Sequence, residues 1–261
     1  MLIDYLDFAA NADKRCLPLN QTALVILVGL TGVGKTTVTD ALQEHVSFTL
    51  LPNRRQVTDE FIIASLQKDD GEAVHTVTDR LKRLEYTARY RAQHPGGMAH
   101  ALSRLAVNPQ RVTLPLIFDG LRGREEVQHA LHLFPQARFI ILDAPDSVRL
   151  NRLLHRGDAF DRINLDSVAD QDTLTALQSI PHIDLVFSQA DLHKISQTTA
   201  DLAVDDVVKK AALIVKERQN YDSQAARSFL TQHLQANRVL MIDTAANAPA
   251  AIVECIKPWL H

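Results

Sequence analysis

The sequence predicts an α/β fold built on a parallel sheet, and three observations carry the prediction. Ala23-Leu24-Val25-Ile26-Leu27-Val28 is a continuous apolar run of strand length, the composition of a central parallel strand covered on both faces. Gly29-Leu30-Thr31-Gly32-Val33-Gly34-Lys35-Thr36-Thr37 follows at once and fits the pattern G-x-x-x-x-G-K-[ST] without a mismatch. Val38, Ala41, Leu42 and Val46 then recur at helical spacing and give one apolar stripe. Strand, glycine-rich turn and helix stand in the order that lets consecutive N–H groups and a helix N-terminus point at an anion.

The residue types of that turn specify its chemistry. Glycines allow φ > 0 and a close approach of backbone to phosphate, so residues 29–37 are expected to cradle a nucleotide's phosphates. Lys35 is expected to reach the β- and γ-phosphates of ATP, the Thr36 hydroxyl to ligate Mg²⁺, and Thr37 to donate to the α-phosphate.

Composition narrows the class. With 261 residues, 46% of them hydrophobic and 23% charged, the chain can bury a sizeable core and is neither disordered nor fibrous. A net charge of -3 argues against a broad grip on nucleic acid and favours small anionic ligands. The two cysteines, Cys16 and Cys255, form no disulfide framework or metal pattern, so a reducing cytoplasm is expected. No apolar run approaches the ~20 residues of a membrane span, and no signal peptide is expected at Met1-Leu2-Ile3-Asp4-Tyr5.

The remaining elements follow in chain order. Residues 1–21 read as a short helix and a polar connection. Phe48-Thr49-Leu50-Leu51 is a short strand stopped by Pro52, and beyond it Thr58 is the expected N-cap of a helix opened by Asp59 and Glu60. Arg54 and Arg55 sit just past that strand end, the side on which open α/β sheets bind ligands, so they and Asp59 are expected at the acceptor's phosphate. A long helix is expected over 76–93, with Val77, Leu81, Leu84 and Ala88 buried, and a second from Met98 to Val107.

Residues 111–120 form the second key stretch, an apolar run ending in Asp119-Gly120, with Pro115 expected at the strand's start or at a bulge. A strand that delivers a carboxylate to the ligand edge meets the second need of a phosphate loop, an acid for Mg²⁺, and Asp119 is assigned that role. Arg122, three residues on, is expected to hold the transferred or accepting phosphate, and Glu125 and Glu126 open the next helix.

Arg138-Phe139-Ile140-Ile141-Leu142-Asp143 is another buried strand. The helix after it carries Arg149, Arg152 and Arg156 on one face, and like charges at these spacings repel, which an anion would relieve. Residues 163–236 are mostly helical, with Asp222 or Ser223 as a cap and no evident chemistry. Residues 238–244 return as a strand and 250–260 as a closing helix. The eleven histidines show no ligand pattern.

This order of elements resembles the nucleoside and nucleotide kinase branch of the phosphate-loop NTPases. Gly29 to Thr37, Asp119-Gly120-Leu121-Arg122 with Glu125-Glu126-Val127, and Asp143-Ala144-Pro145 before the arginine helix look most like archaeal kinases of the adenylate-kinase and dephospho-coenzyme-A-kinase type. The resemblance implies a three-layer fold, a five-stranded parallel sheet with helices on both faces. It implies Mg²⁺ at Asp119, an acceptor phosphate at Arg122, and a lid carrying Arg152 and Arg156 that closes on ATP. The chain lacks Asp-Gly-Phe-Pro-Arg and has a far longer segment before its last strand.

On this reading residues 1–162 are the core, with 53–110 covering the acceptor. Residues 163–236 are a helical insertion, available to a protein partner or to self-association, and 237–261 complete the core. The expected activity is transfer of the γ-phosphoryl group of ATP to a nucleoside, nucleotide or coenzyme precursor, with Lys35, Asp119, Arg122, Arg152 and Arg156 as the catalytic set. The competing readings are an ATP-hydrolysing switch working with a protein partner and a nucleic-acid end kinase using the 76–93 helix.

Overall fold

The computed structural model describes residues 5–78, 80–155 and 172–260. The chain opens with β1 (Leu6–Phe8), β2 (Leu17–Pro18) and a 3-10 turn at Leu19–Gln21, then enters β3 (Leu24–Val28) and α1 (Lys35–Gln43). After β4 (Thr49–Leu50) comes one helical run made of α2 (Arg54–Val57), a π-helical turn at Thr58–Ile63 and α3 (Ala64–Asp69). Next are α4 (Arg80–Gln93), α5 (Met98–Ser103), β5 (Leu105–Val107), β6 (Leu116–Leu121), α6 (Arg124–Leu133), β7 (Arg138–Asp143) and α7 (Asp146–Leu154). The remainder is α8 (Thr173–Gln178), α9 (Gln189–Thr198), α10 (Val204–Asn220), α11 (Ser223–His233), β8 (Val239–Asp243) and α12 (Pro249–Leu260).

The main sheet has five parallel strands in the order β4-β6-β3-β7-β8. Every residue of β3 is buried, as an apolar run without alternation requires. Leu24, Ile26 and Val28 join a core with α5, α6 and α11, while Val25 and Leu27 join a second core with α1 and α12 on the opposite face. Helices therefore cover both faces. A third apolar cluster lies apart from these, between Leu150, Leu153 and Leu154 of α7 and helices α8, α9 and α10. Among the described residues no helix is long and apolar enough to cross a membrane.

The pairing of β3 with β6 slips where the site is built. Ile26 lies opposite Phe118, but Val28 lies opposite Leu121, so an extra β6 residue is accommodated around Asp119-Gly120. A Cβ at Gly120 would stand 2.3 Å from the Phe118 ring, and only glycine fits there. Pro115 immediately precedes β6, where its missing N–H costs no ladder bond.

Four local expectations give way, one of them the start of the helix expected over 76–93, since residues 76–78 lie outside α4. Residues 5–21 form strands and a 3-10 turn rather than a helix, and the helix expected to run to Val107 stops at Ser103. Leu105-Ala106-Val107 instead becomes the middle strand of a small antiparallel sheet, β1-β5-β2, because three consecutive buried apolar residues pair on both edges. The helix expected to start at Thr58 starts at Arg54: Asn53 accepts from Gln56 N–H at 3.0 Å and Gln56 reaches back to the Asn53 N–H, a complete capping box.

Candidate functional site

The phosphate loop bridges the end of β3 and the start of α1. Gly32 has φ +82°, and a Cβ there would meet the Arg149 carbonyl oxygen at 2.9 Å, so the loop packs directly on the backbone of α7. Thr36 and Thr37 are exposed on the first turn of α1. Lys35 Nζ donates to the carbonyls of Gly29 at 2.8 Å and Leu30 at 2.9 Å, folded back over its own loop. Burial pushes its ammonium down and the Arg122 charge adds to this, with Glu217 and Asp119 opposing, to a pKa of about 8. Lys35, Asp119 and Arg122 thus share one electrostatic neighbourhood.

Arg122 is turned toward α10. Its Nη1 lies 2.9 Å from Glu217 Oε1, its guanidinium sits over the Tyr221 ring at 5.6 Å, and its side chain keeps 28% exposure. Glu217, 3% exposed, is the most heavily engaged acid of the site. Its two carboxylate oxygens accept from Thr31 N–H at 3.0 Å, one accepts from Thr31 Oγ1 at 2.8 Å, and Arg149 Nη2 completes the set. Burial opposes ionisation of Glu217, but Arg122, Arg149 and the Thr31 donors outweigh it and hold the carboxyl below its ordinary pKa.

Two arginines of α7 brace the loop from below. Arg149, 0% exposed, donates to Thr31 O at 2.7 Å and pairs with Asp146 as well as Glu217. Arg152 donates to Thr244 Oγ1 at 2.9 Å, Thr244 O at 2.7 Å and Gly32 O at 3.3 Å, and Thr244 Oγ1 in turn donates to Val33 O at 2.7 Å. Their mutual repulsion is answered by carboxylates and carbonyls of the protein itself. Arg152, expected on a closing lid, is tied to the loop and to the residue following β8. Arg156 lies outside the described residues.

The acceptor set divides. Arg54 is on the first turn of α2 rather than in a loop, and its guanidinium donates to Glu126 at 2.9 and 2.6 Å, Gly120 O at 2.7 Å and Tyr221 Oη at 3.2 Å. The asparagine cap, by moving the helix start to Arg54, aims this side chain inward at Glu126. Asp59 pairs with Arg83 of α4, and Arg55 Nε lies 3.9 Å from Asp59 across one helical turn.

A cavity of about 770 Å³ opens beside this network, between the start of α6 and the end of α10, with Gly123, Glu126, Asp146, Arg218 and Tyr221 in its wall. Arg218 spans the wall, donating to Asp146 at 2.9 Å and to Ser223 Oγ at 2.7 Å. Sequence reasoning missed Glu217, Tyr221, Glu126 and Asp146. The convergence of arginines called for acid partners, but an acid on the amphipathic α10 carries no mark that singles it out.

A protein-family model described as AAA domain matches residues 25–173, more than half of the chain. No curated protein matches it. Among solved structures, the chain is similar to an unliganded sugar kinase from Janibacter sp. HTCC2649, at 16% identity and a TM-score of 0.41, covering 92% of this chain and 94% of that one. It is also similar to TT1252 from Thermus thermophilus, at 18% identity and a TM-score of 0.35, covering 69% of this chain and 98% of that one.

Proposed function

Since the chain belongs to the AAA domain family, as a nucleotide-binding phosphate-loop NTPase of the kinase-like branch, we propose that it transfers the γ-phosphoryl group of ATP to a small-molecule acceptor. A nucleoside, nucleotide or coenzyme precursor is the class of acceptor we assign. What supports this reading is the phosphate loop itself, with Lys35 folded onto the Gly29 and Leu30 carbonyls and Arg122 joined through Glu217 to Thr31 of the loop, beside the cavity at Gly123.

The residues present suit a hard cation. The Asp119 carboxylate has no hydrogen bond or ion pair with any described residue, and the Thr36 hydroxyl is exposed on the first turn of α1. Mg²⁺ held by these oxygens and by phosphate would supply charge neutralisation at the transferring group. The chain's own residues do the rest. Lys35 exchanges the Gly29 and Leu30 carbonyls for the β/γ-phosphate oxygens, the loop amides hold the polyphosphate, and Arg122 stands over the group in transit. Catalysis then rests on positioning and electrostatics, with no covalent enzyme intermediate.

γ-Labelled ATP incubated with a panel of nucleosides, nucleotides and coenzyme precursors tests the reading. Label is expected to appear on an acceptor, with little ATP turnover until that acceptor is added. Hydrolysis of ATP alone at a kinase-like rate would overturn transfer in favour of a switch.

A further inference from the structure

Apart from the buried Arg149, the donors that Glu217 engages are groups an incoming phosphate would also seek. The Thr31 amide and hydroxyl belong to the phosphate loop, and Arg122 is the partly exposed guanidinium at its mouth. Glu217 thus joins Thr31 of the phosphate loop to Arg122 through one carboxylate, and its charge also acts on Lys35. Glu217 is not free to leave altogether, because it also neutralises Arg149 in the interior.

We propose that Glu217 is a specificity-determining residue whose carboxylate stands where the terminal phosphate of a nucleoside triphosphate is received, sharing Thr31 and Arg122 with that phosphate. The inference rests on the phosphate-loop reading of the site and adds to it a residue from the helical segment. A triphosphate must draw Arg122 away from Glu217 and bring its own charge against a fixed carboxylate. A diphosphate, ending short of this point, meets neither condition. Glu217 therefore depresses affinity for the triphosphate selectively, and Arg122, once transferred, restores it.

The test needs no acceptor. Dissociation constants for ADP and for a non-hydrolysable ATP analogue with an imido β–γ bridge are measured by calorimetry, with Mg²⁺, for the wild type, Glu217→Gln and Arg122→Ala. Glu217→Gln keeps the shape and some hydrogen bonding but removes the charge, so the preference for the triphosphate analogue over ADP should rise about tenfold, equivalent to about 1.4 kcal/mol. Arg122→Ala should lower that preference by a similar factor. A ratio in Glu217→Gln that stays within about twofold of wild type, or falls, overturns the proposal, because a purely structural acid weakens both nucleotides together. If Glu217→Gln does not fold, an unchanged ratio in Arg122→Ala overturns it alone. Wild-type protein that binds neither nucleotide sinks the site itself. Binding with the expected ratios, but no phosphoryl transfer to any acceptor, leaves Glu217 in place and removes only the transferase reading.

Discussion

The α7–α10 side of the site is closed and the β3–β6 side is open. On the closed side the charges are matched within the protein: Arg149 is sealed between Asp146, Glu217 and Thr31 O, and Arg218 between Asp146 and Ser223. On the open side Asp119 has no hydrogen-bonding or ion-pair partner among the described residues, Thr36 faces solvent, and Lys35 holds only carbonyls of its own loop. A buried ion pair fixes geometry, since the cost of stripping water from both charges is recovered only in one arrangement. A charge left with weak partners keeps its interaction free for a ligand. The difference teaches that the charged side chains of this site divide by what already neutralises them.

The contrast predicts opposite consequences for the two sides. Lys35→Ala should reduce turnover by at least about a thousandfold, roughly 4 kcal/mol of transition-state stabilisation, while the thermal midpoint moves little, because the ammonium supports only two loop carbonyls. Steady-state kinetics beside a thermal melt decides this. A folded variant with wild-type turnover would mean that the open side is not the active centre.

Arg149→Ala should do the reverse. It removes the fully buried cation that Glu217 and Asp146 share and leaves only Arg122 and Arg218 to neutralise them, which costs about 3 kcal/mol and lowers the thermal midpoint by roughly 10 °C in a chain of this size. Differential scanning fluorimetry without nucleotide reads the effect directly. A shift under about 2 °C would show that the closed side is not held by its ion pairs.

Asp119→Asn is the milder test of the open side. Nucleotide affinity without Mg²⁺ should stay near wild type, and the gain on adding Mg²⁺ should fall by about tenfold, or about 1.4 kcal/mol. Calorimetric titrations with and without the metal supply both numbers. If Mg²⁺ helps both proteins equally, Asp119 does not serve the metal.

How much of this could be read from the residues alone also follows the open and closed division. The open side was legible, because a phosphate loop is local. The glycines, Lys35 and Thr36 lie within nine consecutive residues, and Asp119 ends an apolar run that can only be a buried strand. The four strands from β3 onward with long apolar flanks declared themselves in the same way. The closed side was not legible, because it is assembled across the chain: Glu217 meets a loop residue 186 positions away, and Arg152 meets Thr244 at a separation of 92. Nothing in an amphipathic helix says which of its acids turns inward. β5 stayed hidden for a related reason, since three apolar residues after a helix continue the helical pattern until partners from the first twenty residues are known. The pairing of Arg54 with Glu126 was not legible either, because that acid lies 72 residues on and reads as a helix-opening residue.

The smallest effect expected belongs to Lys35 and separates a lysine held in reserve from one already committed. Burial and Arg122 set its pKa at about 8 in the free protein, so near that pH about half of the molecules carry a neutral amine. A phosphate favours the ammonium and raises the pKa again. The sign follows: well below pH 8 the amine is charged before and after binding, and no proton moves. At pH 8 binding draws about half a proton from solution, and the affinity deficit is only about 0.4 kcal/mol. As pH rises further, affinity falls steadily, because more of the free protein must be protonated first. Calorimetry of ADP binding with the metal chelated, repeated at pH 7 and pH 8 in buffers of different ionisation enthalpy, counts the protons. Net proton uptake that rises from pH 7 to pH 8 in the wild type, and does not rise in Lys35→Ala, marks Lys35 as the open side's waiting charge. Release of protons at pH 8, or no buffer dependence at either pH, would mean that its ammonium is already secured within the protein, as Arg149 is on the closed side.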